Sequence, residues 1–486
     1  MKYYSTNGKA PLADLQKAVV KGLAEDRGLY MPERINTLPK AFFDNIQDMK
    51  FQDIAYNVAS AFFGEDVDLD ALQDLVYDTL PFDCPVVKVK DNIYTLELFH
   101  GPTLAFKDVG ARFMARLLQY FLRQRSACCN SVATSGTVNV LVATSGDTGS
   151  AVANGFLGVD GIHVYVLYPK GKVSPIQECQ FTTLGQNITA IEVDGVFDDC
   201  QALVKSAFMD KELNEHMMLT SANSINVARF LPQAFYYFNA YARMKALGLA
   251  DNLVMCVPSG NFGNICSALF GHAMGLPVKR FIAANNANDI FFKYLQTAKY
   301  EPKASVQTLA NAMDVGDPSN FARIINLYSQ NGQLSEAETH AAIVSLISGA
   351  TYTDEQIKDT MRQCYSENGK LSPEETHQRI TSLISGATYS DEQIRETMRQ
   401  CYSETGYILD PHGACGYRAL EEQLKPGEIG IFCETAHPAK FKEKVDEILG
   451  IDVEIPARLA AFMKGQKQSV PMTKDFADFK AFLLAQ

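Results

Sequence analysis

Lys107 stands in the stretch HGPTLAFKDVGARFMARLL, residues 100 to 118, among mostly apolar neighbours. Pro102 and Thr103 predict a helix start there, with Thr103 capping the first amides. Leu104, Ala111, Met114, Ala115, Leu118 and Leu122 then recur at helical spacing, and Lys107 falls on their stripe. Asp108, Arg112 and Arg116 fall on a neighbouring polar side, and Asp108 with Arg112 has the i,i+4 spacing of an ion pair. A lysine turned toward a core at the positive end of a helix is pushed toward its neutral form. A neutral amine is a nucleophile suited to forming an imine with a carbonyl. The competing reading is a lysine with a buried stem and a head in water.

Three further segments carry groups that bind anions. ATSGDTGSAV, residues 143 to 152, joins a strand to a helix and offers Ser145, Asp147 and Thr148. PSGNFGNI, residues 258 to 265, has the same construction, and Gly260, Asn261, Phe262, Gly263 and Asn264 suit a phosphate cradle. It matches neither the Walker loop nor the dinucleotide fingerprint. NSINVAR, residues 223 to 229, brings Asn223, Ser224, Asn226 and Arg229 together as a clamp for a second phosphate or a carboxylate. ETAHPAKF, residues 434 to 441, places Thr435, His437 and Lys440 after an apolar strand. A core-facing lysine with separate anion loops fits an imine to a phosphate-bearing aldehyde, for which pyridoxal 5'-phosphate (PLP) is the obvious candidate. No cysteine or histidine spacing predicts a metal site.

The elements that must position these residues alternate. Strands are predicted at NIYTLELF, VNVLVAT, IHVYVLYP, NITAIEVDG, NLVMCVPSG and KRFIAANN, with helical patterns following most of them. That alternation predicts an α/β fold with largely parallel sheets, which collect ligands at their C-terminal strand ends. Residues 1–85 predict a separate, mostly helical domain, bounded by the proline-rich LPFDCPVVKV. Residues 86–486 then form the catalytic region. It comprises a smaller α/β subdomain over about 104–240 and a larger one from 86–103 and 241–486. The 486 residues carry a net charge of -12, which argues against a nucleic-acid or membrane-surface binder. The 11 cysteines have no paired spacing and suit reduced thiols in a cytoplasm.

Two repeats interrupt the pattern. Residues 331–367 recur at 368–404 with about three-quarters identity, and each copy predicts two helices within one domain. Capping boxes are expected at Ser335 with Glu338, at Ser372-Pro373-Glu374-Glu375, at Thr353 with Gln356 and at Ser390 with Gln393. The second helix of each copy should bury Ile357, Met361 and Cys364, or Ile394, Met398 and Cys401. VATSG occurs at 132 and again at 142, and the first reads as an inserted loop.

HGPTLAFKDVGARF, VATSGDTGSA, NSINVAR, PSGNFGN and TAHPAKF together resemble the threonine synthase family, and the likeness spans nearly the whole chain. The resemblance implies PLP fold type II, the tryptophan synthase β-like fold, with parallel-sheet subdomains and a helical N-terminal domain. It implies that Lys107 holds PLP as an imine and that Gly260 through Asn264 cradle its phosphate. Asp147 would lie beside the ring hydroxyl, where many relatives use asparagine, and Thr435 would bond the pyridine nitrogen. Ser145 and Thr148 would bind the substrate carboxylate; Asn223, Ser224, Asn226 and Arg229 would form the phosphate clamp. The implied reaction turns O-phospho-L-homoserine and water into L-threonine and phosphate, in a cytoplasmic monomer or homodimer. Kindred alternatives are a threonine/serine dehydratase, a lyase for another phospho-amino acid, or a PLP-fold binding protein disabled by the insertions.

Overall fold

The computed structural model describes residues 1–128, 137–297, 299–328, 336–348 and 387–486. The first VATSG copy and the helix starts expected at Ser335, Thr353 and Ser372 lie outside the described residues, as do Ile357, Met361 and Cys364. The described chain divides into two units.

The first unit comprises Met1–Cys84, Leu98–Asn239 and Ala436–Gln486. Its five-stranded sheet runs Val470–Met472, Ile188–Val193, Ile162–Pro169, Val138–Ala143, Met218–Ser221, with every pairing parallel. These strands are continuous apolar runs because both sheet faces are covered. Leu141, Tyr165, Leu167, Ile191 and Val193 pack there with Leu203, Phe479 and Leu483. The helix Lys107–Cys128 packs against the helix Asp147–Phe156, and Gly155 permits the approach. A Cβ on Gly155 would sit 3.0 Å from the Ala111 carbonyl carbon.

The N-terminal region, expected over residues 1–85, falls within this unit as Met1–Cys84. Its helices Phe51–Phe63 and Leu69–Thr79 are as predicted, but Tyr3–Ser5 and Tyr30–Pro32 pair as antiparallel strands. The Val19 carbonyl accepts from Asn226 Nδ2 at 2.8 Å, and Arg112 Nε donates to the Thr79 carbonyl at 2.9 Å. The C-terminal residues 436–486, expected in the larger subdomain, also join this unit. Val470–Met472 supplies the edge strand beside Ile191–Val193, a pairing too short to be read from pattern.

The second unit comprises Pro85–Glu97 and Ala240–Thr435. Its sheet runs Ile347–Ser348, Arg280–Asn285, Leu253–Pro258, Ile429–Glu434, Ile93–Glu97, Val86–Lys90. Only the last pair is antiparallel. Val86–Lys90 lies where the sequence predicted a boundary.

The duplication meets this sheet at its outer edge. Phe281 and Ile282 pair with Ile347 and Ser348, whereas Ala284 and Asn285 pair with Ala387 and Thr388. Both copies carry the same Ile-Ser-Gly-Ala-Thr run, 37 residues apart. One strand's worth of register is therefore filled by the front of the first copy and the back of the second. The helix Glu336–Leu346 leads in from the first copy, and Asp391–Thr405 leads out from the second. The latter helix has the predicted Ser390–Gln393 capping box and buries Ile394, Met398 and Cys401. Among the described residues no helix is long and apolar enough to cross a membrane.

Removing residues 349–385 joins Ser348 to Gly386 and rebuilds that run with Gly386 opposite Ala283. The expected product is a folded protein that still binds PLP, with a melting temperature within about 4 °C of the full chain, a change of ~1 kcal/mol or less. Differential scanning fluorimetry and PLP absorbance check this. An insoluble or colourless product would contradict the splice.

Candidate active site

Lys107 opens its helix; the helix does not begin at Pro102 or Thr103 as predicted. The turn before it is held by other means. Asp108, expected on a polar face, is buried and accepts from Thr103 N at 2.9 Å and from Thr103 Oγ1 at 2.6 Å. The acid at the helix start thus caps the preceding loop, which reverses the expected direction of capping. Arg112 correspondingly bonds the carbonyls of Asp78 and Thr79. Gly101 is needed there, because a Cβ would lie 2.4 Å from Asp108 Oδ2. Leu104 takes a left-handed φ of 57°, costly for a leucine. An antiparallel bridge from Ala105 to Ala436 and a bond from His437 N to the Leu104 carbonyl hold it.

The Lys107 side chain is only partly covered, yet desolvation is the largest influence on its amine. Burial lowers its pKa to about 8; Asp147 opposes the shift, and Arg229 and Lys440 add to it. The direction agrees with the sequence expectation, but at pH 7 about nine-tenths of the amine remains protonated. Among the described residues Nζ makes no ion pair, and its recorded neighbour is the Phe106 ring with its centroid at 5.5 Å.

Asp147 opens its helix as expected, after Gly146 at a φ of 141°. Thr144 shapes this loop by accepting from Gly146 N at 2.9 Å and Gly149 N at 2.8 Å. Ser145 and Thr148 stay partly exposed beside the start of the helix. Asp147 itself is buried. Its Oδ1 accepts from Lys440 Nζ at 2.6 Å and from Gln177 Nε2 at 2.9 Å. Burial would raise its pKa, but Lys440, Lys107 and the Gln177 bond outweigh that and hold it at about 2.

The Asn-Ser-x-Asn-x-x-Arg segment divides into two roles. Arg229 is 2% exposed, and its Nη1 donates to the Ala222 carbonyl at 2.6 Å. Among the described residues nothing bonds its Nε. Desolvation, eased by Asp108, brings the guanidinium to about 10. A buried cation with an unused donor suits an anionic ligand. Gly110 lets the lysine helix approach it, since a Cβ there would lie 2.3 Å from the Arg229 carbonyl. Asn223 and Ser224 are partly exposed. Asn226 differs from the expectation. Its Nδ2 donates to Val19 and Ser221 carbonyls and its Oδ1 accepts from Ala228 N, so the side chain is committed to shaping the loop.

In the second unit, Gly260 to Asn264 lead from the strand Leu253–Pro258 into the helix Gly263–Ala273. Phe262 adopts a left-handed φ of 63°. A Cβ on Gly260 would lie 2.7 Å from the Ala312 carbonyl, so only glycine fits this turn. Asn261 Oδ1 accepts from Ser319 N at 2.7 Å, and Asn264 Nδ2 donates to the Pro258 carbonyl at 2.8 Å. Both asparagines brace the loop, leaving the amides of the helix's first turn as its anion-binding groups. Thr435 follows the strand Ile429–Glu434 and is 7% exposed. Glu434 before it is buried and accepts from Asp410 N at 2.5 Å; desolvation and Asp410 push its carboxyl well above the carboxylate range.

In the first unit an unpaired amine of lowered pKa and an orphaned guanidinium donor suit an aldehyde and an anion, and in the second unit a glycine turn at a helix start suits a phosphate. Sequence reasoning missed the Asp108–Thr103 cap, the Gln177 bond and the partner of Lys440. The spacing of each pair exists only after folding, though Lys440 already stood in a motif.

The family description "Threonine synthase N terminus" matches residues 2–80, "Pyridoxal-phosphate dependent enzyme" matches 81–371, and "Threonine synthase, C-terminal" matches 413–483. The threonine synthase of Serratia marcescens is 40% identical over 484 residues, covering 100% of this chain and 99% of its own. That of Saccharomyces cerevisiae is 36% identical, covering 92% and 89%. Among solved structures, threonine synthase from Escherichia coli aligns with a TM-score of 0.82 and 38% identity over 100% of both chains. PLP-bound threonine synthase from Brucella melitensis aligns with 0.83 and 32% identity over 100% and 99%. With matches over its full length and a lysine site that suits the cofactor, the chain belongs to the PLP-dependent threonine synthase family.

Proposed function

We propose that this protein converts O-phospho-L-homoserine and water to L-threonine and phosphate. The observation that carries the reading is the partly accessible Lys107 amine, unpaired among the described residues, with Arg229 and its unused buried donor among the cations that lower its pKa. PLP, when bound, supplies an electrophilic carbonyl for an amine and a conjugated ring that spreads negative charge from the adjoining carbon.

Lys107 supplies the amine that holds the cofactor's carbonyl. Once the substrate's amino group has taken its place, Lys107 Nζ removes the Cα proton and shuttles protons along Cα, Cβ and Cγ. Arg229, Asn223 and Ser224 hold the substrate phosphate and stabilise its departure from Cγ. Ser145, Thr148 and the amides at the start of helix Asp147–Phe156 bind the substrate carboxylate. The loop from Gly260 to Asn264 would hold the cofactor phosphate, Asp147 would partner the ring hydroxyl and Thr435 the ring nitrogen, where a hydroxyl need not keep the nitrogen protonated. Asn226 positions the clamp through its backbone bonds. Cys200, Cys256 and Cys266 are unpaired thiols, which suits a reducing cytoplasm.

Phosphate release from O-phospho-L-homoserine, with threonine identified as product and free threonine as the control substrate, tests the reading. Lys107→Ala should lower turnover at least ~1,000-fold and abolish borohydride trapping of PLP on the chain; full turnover in that variant would refute the assignment. Arg229→Met should lower kcat/KM about 100-fold or more, with most of the loss in the phosphate-release step. The wild-type pH profile has a definite sign. The reactive form is the free amine, so PLP trapping should rise with pH and level off above a midpoint near 8. A midpoint near ~10.4, the ordinary lysine value, would remove the desolvated amine.

A further inference from the structure

We propose that Lys440 is a positioning residue for Lys107: its buried ammonium occupies the Asp147 carboxylate, which would otherwise capture the reactive amine as an ion pair. This rests on the reading that Lys107 is the imine-forming amine.

The geometry is that of one carboxylate among three cations. Lys440 is 0% exposed, and its Nζ lies 2.6 Å from Asp147 Oδ1 and donates to the Thr103 carbonyl at 2.9 Å. Gln177 donates to the same Asp147 oxygen. The backbone fixes where Lys440 stands. It lies in the turn Pro438–Phe441, whose start is capped by His437 Nδ1 accepting from Ala439 N at 3.1 Å. The Lys440 carbonyl accepts from Ser174 Oγ at 3.1 Å, and the Ala105–Ala436 bridge ties this segment to the turn that carries Lys107. The two lysines are therefore delivered by strands of chain that are hydrogen-bonded to each other.

A single buried carboxylate stabilises whichever ammonium it touches, and the other amine then meets desolvation and repulsion together. Here the contact goes to Lys440. The charged groups that act on Lys107 are Asp147, which raises its pKa, and Arg229 and Lys440, which lower it; the result is about 8. Lys440 in turn acts on Asp147, on Asp108 of the lysine helix and on the Cys179 thiol. Without Lys440, Asp147 would face Lys107 with no competing ammonium, and burial would strengthen the new pair.

The test uses the full-length protein freed of PLP. PLP is added back across pH, and imine formation is followed by absorbance and by borohydride trapping on the Lys107 peptide. Lys440→Met keeps the buried volume and removes the charge. It should move the midpoint upward by a pH unit or more, slowing trapping at pH 7.5 about tenfold. Lys440→Met combined with Asp147→Asn should bring the rate back to within about threefold of wild type. Asp147→Asn alone, which does not depend on the methionine variant folding, should move the midpoint downward. An unchanged midpoint in a folded Lys440→Met protein would overturn the proposal. So would a double variant as slow as the single, or an upward shift in Asp147→Asn. Wild-type protein that traps no PLP on Lys107 would defeat the imine reading itself, which the variant comparisons leave separate.

Discussion

One carboxylate, Asp147, is shared among the buried cations of the first unit, and the direction of its contact governs the chemistry of the rest. It sits 2.6 Å from Lys440 and makes no recorded bond to Lys107. Had the partners been exchanged, the helix-opening lysine would be a structural ion pair and its amine would give up its proton only at a higher pH. The preceding turn serves the same end. The strained Leu104, the Asp108 cap on Thr103 and the bridge to Ala436 together fix the first turn of the lysine helix relative to Lys440. Strain of this kind survives only where several bonds hold it, here the two from Thr103 to Asp108, the bond from His437 N to the Leu104 carbonyl and the Ala105–Ala436 bridge.

The second constraint is steric. Glycines at the site are places where a backbone or a charged side chain comes within contact distance of another. Gly101 leaves room for the Asp108 carboxylate, Gly110 for the Arg229 carbonyl and Gly260 for the Ala312 carbonyl. Each missing Cβ would fall under 3 Å from its neighbour, so the closeness of the packing, more than loop freedom, sets these identities. Arg229 shows the consequence. Its carbonyl is pressed against the lysine helix while its Nε has no hydrogen-bond partner among the described residues.

Much of this was legible in the sequence because it depends on local pattern. IHVYVLYP is a strand along its whole length, and each glycine loop does join a strand to a helix. What was not legible depends on partners distant in the chain. Asp108 was placed on a polar face because i,i+4 spacing to Arg112 suggested a surface pair; the folded chain gives each of them a different partner. Asn226 was grouped with the substrate ligands by its motif, and only the position of Val19, 207 residues away, shows that its amide is already occupied. The edge strand Val470–Met472 is three residues long, below any periodicity, and it alone shows that the C-terminal segment completes the first unit's sheet. Lys440 is the instructive case: the motif announced it, but its function required knowing that Asp147 would reach it.

The duplication follows from sheet geometry. Parallel pairing fixes one residue opposite each position of Arg280–Asn285, so the sheet offers one set of sites to two nearly identical segments. Ile347 and Ser348 take the first positions, and Ala387 and Thr388 take the later ones, at the offset of one repeat. Neither copy excludes the other, because the Ile-Ser-Gly-Ala-Thr run is the same in both and the sheet cannot distinguish their donors. The entropy of closing a loop rises only with the logarithm of its length, so an added segment at this point costs little. Its place also limits its reach. The edge strand is separated from the strand bearing the Gly260 loop by Arg280–Asn285, whose pairing with Leu253–Pro258 runs unbroken from Arg280 to Ala284. An insertion at the margin of the sheet can thus leave the geometry of that loop, two strands inward, unchanged.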